Sequence, residues 1–252
     1  MNATVLILAG DGINCEEATE NAFRLQGLQC KTVLINQLIS RPQILDEVQC
    51  LALPGGFSFG DELGSGQILA LKIKATLKDE LKNFAQKKKP IIGICNGMQA
   101  LAKLGLLPFP FEGDNNLSMG GNVQGHFINK WCKIEYHKNH CHWIKWADSK
   151  YLDLIEQYPY LPIRHGEGRY LFKNQNILEK VEDQNLVVMR YSENQNGSQN
   201  KIAAITDPEG LILGMMPHPE AAMELSLLPM KKAFGPGPGH LFFNSIAHFL
   251  KQ

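Results

Sequence analysis

Short apolar runs at residues 4–9, 31–35, 50–53 and 90–94 alternate with amphipathic stretches along the first part of the chain. Runs this short and this uniformly apolar indicate strands buried on both faces, an environment that a parallel sheet covered by helices provides. Between two of them, Ile73, Leu77, Leu81 and Phe84 recur at helical spacing with charged residues on the other face, which predicts one helix over residues 65–86. Strand alternating with helix implies right-handed βαβ crossovers. Lys87-Lys88-Lys89 follows that helix, where three cations complement the macrodipole and aid solubility. Residues 36–43 read as a connection.

The second half has a different pattern. Residues 186–191, 202–206 and 211–216 read as strands, the last two joined by Asp207-Pro208-Glu209-Gly210, a hairpin turn signal. The sheet is therefore expected to be mixed, mostly parallel with an antiparallel extension, in one α/β domain spanning residues 1–252. Residues 194–200 form a polar loop. Phe234-Gly235-Pro236-Gly237-Pro238-Gly239 is a stiff turn before a final helix over residues 241–250, because its prolines lack the N–H groups that a phosphate-cradling loop needs.

Lys plus Arg equals Asp plus Glu at 25 each. No global field is available to hold nucleic acid or an anionic membrane, and a small neutral or zwitterionic substrate fits better. The start lacks the basic segment of a secretory signal and no apolar run is long enough to cross a bilayer, so a cytosolic protein is expected. Cys15, Cys30, Cys50, Cys95, Cys132 and Cys141 are spread without a CxxC pair and read as free thiols, five of them as packing residues.

The exception is Cys95. Gly93-Ile94-Cys95-Asn96-Gly97 stands where a buried strand gives way to a helix at residues 96–103, the G-x-nucleophile-x-G elbow with sulfur in place of oxygen. The sharp turn lifts the side chain clear of the backbone, and a helix N-terminus favours a thiolate and an oxyanion above it. Met216-Pro217-His218-Pro219-Glu220 follows another predicted strand. There an imidazole and a carboxylate two positions apart supply a base and its orienting acid for a thiol. Leu53-Pro54-Gly55-Gly56-Phe57 follows a third strand, and its glycines free N–H groups for an oxyanion hole completed by the Asn96 N–H.

His165-Gly166-Glu167-Gly168-Arg169 either binds substrate or is a turn with solvated charges; the residues alone leave both open. His137, His140, Cys141 and His142, with Cys132 nearby, offer nitrogen and sulfur ligands, but their spacing matches no structural zinc pattern and no metal is expected.

Taken in order, LPGGFSFGD at residues 53–61, GICNGMQ at 93–99, HGEGRY at 165–170, Asn196-Gly197-Ser198 and GMMPHPE at 214–220 resemble the class I (triad) glutamine amidotransferases. Within that class they are similar to the glutaminase subunits of phosphoribosylformylglycinamidine synthase. The resemblance implies a Rossmann-like, flavodoxin-like fold with Cys95 as nucleophile, His218 as base and Glu220 as orienting acid. It also implies an oxyanion held by Gly56 and Asn96, and a glutamine site that includes Gly55, Gln99, His165, Gly166 and Glu167. Ammonia would pass to a large synthetase subunit, usually with a small third subunit, for ATP-dependent conversion of formylglycinamide ribonucleotide to its amidine. ATP and Mg are expected in that partner and no cofactor in this chain. Residues 136–160 and Gly64-Ser65-Gly66 depart from the family pattern. The rival readings are an amidotransferase of another pathway, a cysteine hydrolase or peptidase on the same scaffold, and a non-catalytic subunit with a vestigial thiol. The intact Cys95, His218 and Glu220 argue against the last.

Overall fold

A computed structural model describes residues 3–112, 116–137, 141–229 and 233–252. In chain order its elements are β1 (Thr4–Ala9), α1 (Glu16–Arg24), β2 (Gln29–Leu34), α2 (Ile35–Ser40), α3 (Ile44–Glu47), β3 (Cys50–Leu53), α4 (Gln67–Thr76), α5 (Lys78–Gln86), β4 (Ile91–Ile94), α6 (Asn96–Lys103), β5 (Leu117–Gly120), β6 (Ile128–Tyr136), α7 (Ser149–Gln157), β7 (Tyr160–His165), β8 (Arg169–Phe172), α8 (Gln175–Asp183), β9 (Val187–Tyr191), β10 (Ile202–Thr206), β11 (Ile212–Met215) and α9 (His240–Phe249). Among the described residues, one nine-stranded sheet runs in the order β2-β1-β3-β4-β11-β10-β9-β6-β7, and β5 pairs with β8 in a separate ribbon.

The half from β2 to β11 is parallel and the half from β11 to β7 antiparallel. The expected mixed sheet with an antiparallel extension is thus the one observed. Strands β3, β4, β10 and β11 are buried along their whole length, which is why their sequences carry no polar alternation. One face of the parallel half packs on α4, α5 and α6 through Leu51, Ile73, Leu81 and Leu101. On α1 and α9, Phe23 meets Phe243 edge to face at 4.9 Å.

Three local expectations are corrected. The run at residues 31–35 is not a fully buried strand: β2 spans Gln29–Leu34 at the sheet edge and buries only Val33. Residues 36–43 are not merely a connection, since α2 forms there with Ile35 and Leu38 buried and the Gln37 side chain accepting the Leu34 N–H at 3.3 Å. The helix expected over residues 65–86 is two. Thr76 turns its hydroxyl back to the Lys72 carbonyl at 2.7 Å, a contact that bends helices, and Leu77 leaves helical geometry at φ −127°, ψ 12°.

Topology places the chemistry. β1, β3, β4 and β11 are adjacent and parallel, so their carboxyl ends open on one edge, and β1 is the switch point from which the chain departs to β2 on one side and β3 on the other. The antiparallel half coils back over this edge. Its β9–β10 ladder breaks register between Ile202 and Ala204 and again before Ile205, irregularities that increase twist. Strand β7, last in the sheet, consequently reaches the loops that follow β4 and β11.

Candidate active site

Cys95 alone turns the chain between β4 and α6. It does so at φ 50°, ψ −103°, a conformation that L-residues avoid unless the surroundings enforce it. Its N–H donates to the Met215 carbonyl at 2.7 Å and its carbonyl accepts from the Gln99 N–H at 3.0 Å. The flanking glycines are steric requirements. A Cβ on Gly93 would lie 2.5 Å from Leu101 Cδ1 and 2.8 Å from the Gly97 carbonyl, and one on Gly97 would overlap the Leu53 carbonyl. Gly97→Ala is therefore expected to cost about 3 kcal/mol or more in denaturant unfolding, because backbone atoms on both sides must move. An unchanged midpoint would show that the elbow is looser than its geometry.

The imidazole arrives from the neighbouring strand. Gly93 pairs with Gly214 and Ile94 with Met215, so the residues just beyond β4 and β11 emerge side by side. The His218 N–H donates to the Pro162 carbonyl of β7 at 2.8 Å, and its Nδ1 lies 2.5 Å from Glu220 Oε1. A carboxylate partner requires the proton on Nδ1, so Nδ1 donates and Nε2 is left for the sulfur. Burial drives the imidazole toward neutrality. The Glu220 carboxylate, the Cys95 sulfur and hydrogen bonding to the Cys15 and Cys95 sulfurs outweigh it and hold the His218 pKa well above the ordinary histidine range. Among the described residues the buried Nε2 has no partner in ordinary hydrogen-bond geometry, so its contact with the sulfurs is looser than a formed hydrogen bond.

The glycine loop closes over the ring. A Cβ on Gly55 would stand 2.7 Å from His218 Cε1, and Gly56 takes φ 147°, where only glycine is comfortable. The Gly55 carbonyl accepts the Cys15 N–H at 3.2 Å and the Asn14 N–H at 3.4 Å, pinning the β1–α1 turn against the same imidazole. A cavity of 170 Å³ is lined by Asn14, Cys15, Gly56, Arg164 and His218, with the exposed rings of Phe57 and Phe127 at its walls. Cys95 is 3% exposed and its Sγ lies 3.5 Å from the Arg164 carbonyl.

Beneath the elbow a polar network fixes the neighbouring loops. Asn96, fully buried, accepts the Ser58 N–H at 3.1 Å and donates to Asp61 Oδ1 and Gln99 Oε1, both at 3.0 Å. Gln99 donates onward to the Glu167 carbonyl, and the Glu167 carboxylate accepts the Ser65 N–H at 3.1 Å. Burial lifts the Asp61 carboxyl above its usual range. His165 is buried beside Asn122: the Asn122 amide donates to the His165 and His126 carbonyls, so Asn122 Oδ1 must accept from His165 Nδ1, 3.0 Å away. Burial first, then the charge of His218, holds the His165 pKa down to about 4, and its neutral ring presents an unpartnered Nε2 lone pair.

A family model of the CobB/CobQ-like glutamine amidotransferase domain matches residues 2–250. The chain belongs to this family. It is 35% identical over 232 residues to the phosphoribosylformylglycinamidine synthase subunit PurQ of Methanococcus maripaludis, covering 87% of this chain and 82% of that one. It is 34% identical over 261 residues to the subunit PurQ of Dehalococcoides mccartyi, covering 98% and 97%. Among solved structures it superposes with a TM-score of 0.76 and 28% identity on a chain of PurLQS from Thermotoga maritima, covering 99% and 100%.

For a member of this family the sequence-predicted residues fall into two groups. Cys95, His218, Glu220, Gly55, Gly56 and Asn96 converge at the strand ends. Gln99, His165, Gly166 and Glu167 lie next to them, where Gln99 bonds Asn96 and the Glu167 carbonyl, the Gly166 carbonyl accepts the Asn122 N–H at 2.9 Å and Glu167 bonds the loop at Ser65. The His165 to Arg169 segment is an ordered connection between β7 and β8 beside the elbow, with His165 buried rather than solvated. One expectation is overturned: Cys15 is not a packing residue, because it lies against His218. Its place at the carboxyl end of β1, beside the switch point, was the available signal. Asn122 and the Arg164 carbonyl had none. Of the histidine and cysteine patch, His140 lies outside the described residues, and Cys141 and Cys132 are buried; no patch residue joins a metal-capable cluster among the described residues. No helix among them is long and apolar enough to cross a membrane.

Proposed function

We propose that this chain is the glutaminase component of phosphoribosylformylglycinamidine synthase, releasing ammonia from glutamine at Cys95 and delivering it to a synthetase subunit that holds ATP and Mg and, with a small third subunit, completes the complex. The observation that carries the chemistry is the β4–β11 register, which delivers a strained cysteine and a carboxylate-bound histidine to one point. The family membership and the PurQ relatives support the pathway.

In this reading the Cys95 thiolate attacks the glutamine amide carbon, and the oxyanion settles between the Gly56 and Asn96 N–H groups. Asn96 stands in the first turn of α6, whose N–H groups lack helical partners. The His218 imidazolium gives its Nε2 proton to the departing nitrogen, forming ammonia and a thioester. The now neutral ring takes a proton from water, whose oxygen attacks the thioester; glutamate leaves and the thiolate returns. Glu220 holds the ring in the required tautomer throughout. Gly55, Gln99, His165, Gly166 and Glu167 shape the glutamine site, and the subunit needs no cofactor of its own. The closed position of Cys95 under the Arg164 carbonyl supports a site that opens when the synthetase binds.

Ammonia release from glutamine, asparagine and simple amides, measured with and without the synthetase, tests this. The expected result is turnover of glutamine above the others by about 10²-fold or more, raised by the partner. Equal turnover of all amides, or none with the partner present, rejects the assignment.

A further inference from the structure

We propose that Cys15, His218 and Glu220 form an inhibitory site for a thiophilic divalent cation, with zinc as the cation tested. Among the described residues these three bring a thiol sulfur, a ring nitrogen and a carboxylate oxygen within 4.8 Å of one another. One soft sulfur, one imidazole and one carboxylate are the donors that zinc takes in preference to calcium or magnesium. The framework is already built. Cys15 is pinned by its N–H bond to the Gly55 carbonyl, and Glu220 sits in the short 3-10 turn Pro219–Ala221.

A second observation points to a ligand. Oε1 of Glu220 is engaged by His218, while Oε2 is buried without a hydrogen-bond partner among the described residues, on a side chain 2% exposed. A buried anionic oxygen without a donor is costly, and a cation held by both oxygens of the carboxylate would satisfy it. The cavity lined by Cys15 and His218 supplies a route from solvent and room for the water that completes tetrahedral coordination.

The exchange balances. The ion takes the place of the Nδ1 proton of the His218 imidazolium, leaving a neutral ring that keeps its Nε2–H, and the Cys15 thiol gives up its proton to bind as thiolate. Two positive charges enter and two protons leave, so the buried site keeps its net charge. Zinc–nitrogen and zinc–oxygen bonds of about 2.0–2.2 Å place those donors about 3.3 Å apart at a tetrahedral angle. The 2.5 Å Nδ1–Oε1 pair therefore opens slightly to admit the ion. A metallated ring no longer carries the Nδ1–H that Glu220 orients, and the base is out of use. The inhibition rests on the role proposed for His218; the binding does not.

The test is zinc affinity of the intact chain, by competition with a chromogenic chelator, compared with Cys15→Ala, Glu220→Gln and Cys95→Ala. Expected are about one ion per chain, a loss of about tenfold or more in each of the first two variants, and no loss of affinity in the third, where removal of the Cys95 sulfur only eases displacement of the His218 proton. Calorimetry in buffers of different ionisation enthalpy should show about two protons released per ion. Should Cys15→Ala not fold, zinc protection of the Cys15 thiol from iodoacetamide, read by peptide mass, replaces it. Binding lost in Cys95→Ala, binding retained in Cys15→Ala, or no binding at micromolar zinc overturns the proposal. Zinc binding in this pattern without glutamine turnover would reject the proposed function and leave the metal site standing; the reverse outcome would reject only the site.

Discussion

Replacing Cys95 by alanine is expected to lower glutamine-dependent turnover by about 10⁴-fold or more, since removal of a nucleophile leaves only binding and oxyanion stabilisation. The fold should survive. Alanine keeps the Cβ that the elbow already accommodates at φ 50°, and the lost sulfur leaves a small gap worth about 1 kcal/mol in a site 3% exposed. With ammonia as the group handed over in the proposed complex, the variant is expected to support synthesis from added ammonium salts. Parallel assays with glutamine and with ammonium separate the two effects. A residual glutamine rate within tenfold of the parent would remove Cys95 from the mechanism, and loss of both rates would mean that the substitution disturbs the assembly.

How much of this was readable beforehand depended on how local each signal was. Strands β1, β3 and β10 and helix α6 occupy the residues their sequences indicated, because each is buried on the face or faces that its own pattern declares. The edge strand β2 misled for the same reason: the run at residues 31–35 looks buried as a string, but only the sheet order shows that, among the described residues, β2 is the last strand on its side. The break at Leu77 hangs on one hydroxyl, that of Thr76, choosing a backbone carbonyl. At the site, the cysteine, histidine and glycine fragments each followed a predicted strand, so their meeting required only that β3, β4 and β11 be neighbours. Cys15 required more. Its contact with His218 depends on a hydrogen bond to Gly55, forty residues away, and the Arg164 carbonyl reaches Cys95 only because the antiparallel half coils over the edge. Tertiary curvature leaves no periodic mark in a sequence.

Glu220→Gln offers the test most specific to the geometry. Its carboxylate holds His218 Nδ1 at 2.5 Å. An amide in its place holds the ring less firmly and permits the wrong tautomer, for which a loss of about 10³- to 10⁴-fold in kcat is expected. The pH profile carries the sign. Burial pulls the His218 pKa down, and the Glu220 carboxylate and Cys95 sulfur together push it well above the ordinary range; the imidazolium proposed to protonate the departing nitrogen therefore persists to high pH, and the basic limb of kcat/KM is expected above the usual histidine value. Removing the carboxylate leaves desolvation less opposed, so the basic limb must move to lower pH. Stability follows the same linkage: a raised pKa contributes stability that is fully present below the unfolded-state value of about 6.5 and is lost as pH rises through the folded-state value, and this dependence should flatten in the variant. Two measurements, the pH dependence of kcat/KM and that of the unfolding free energy, should shift together. A basic limb that stays in place, or moves upward, would mean that Glu220 does not act through His218.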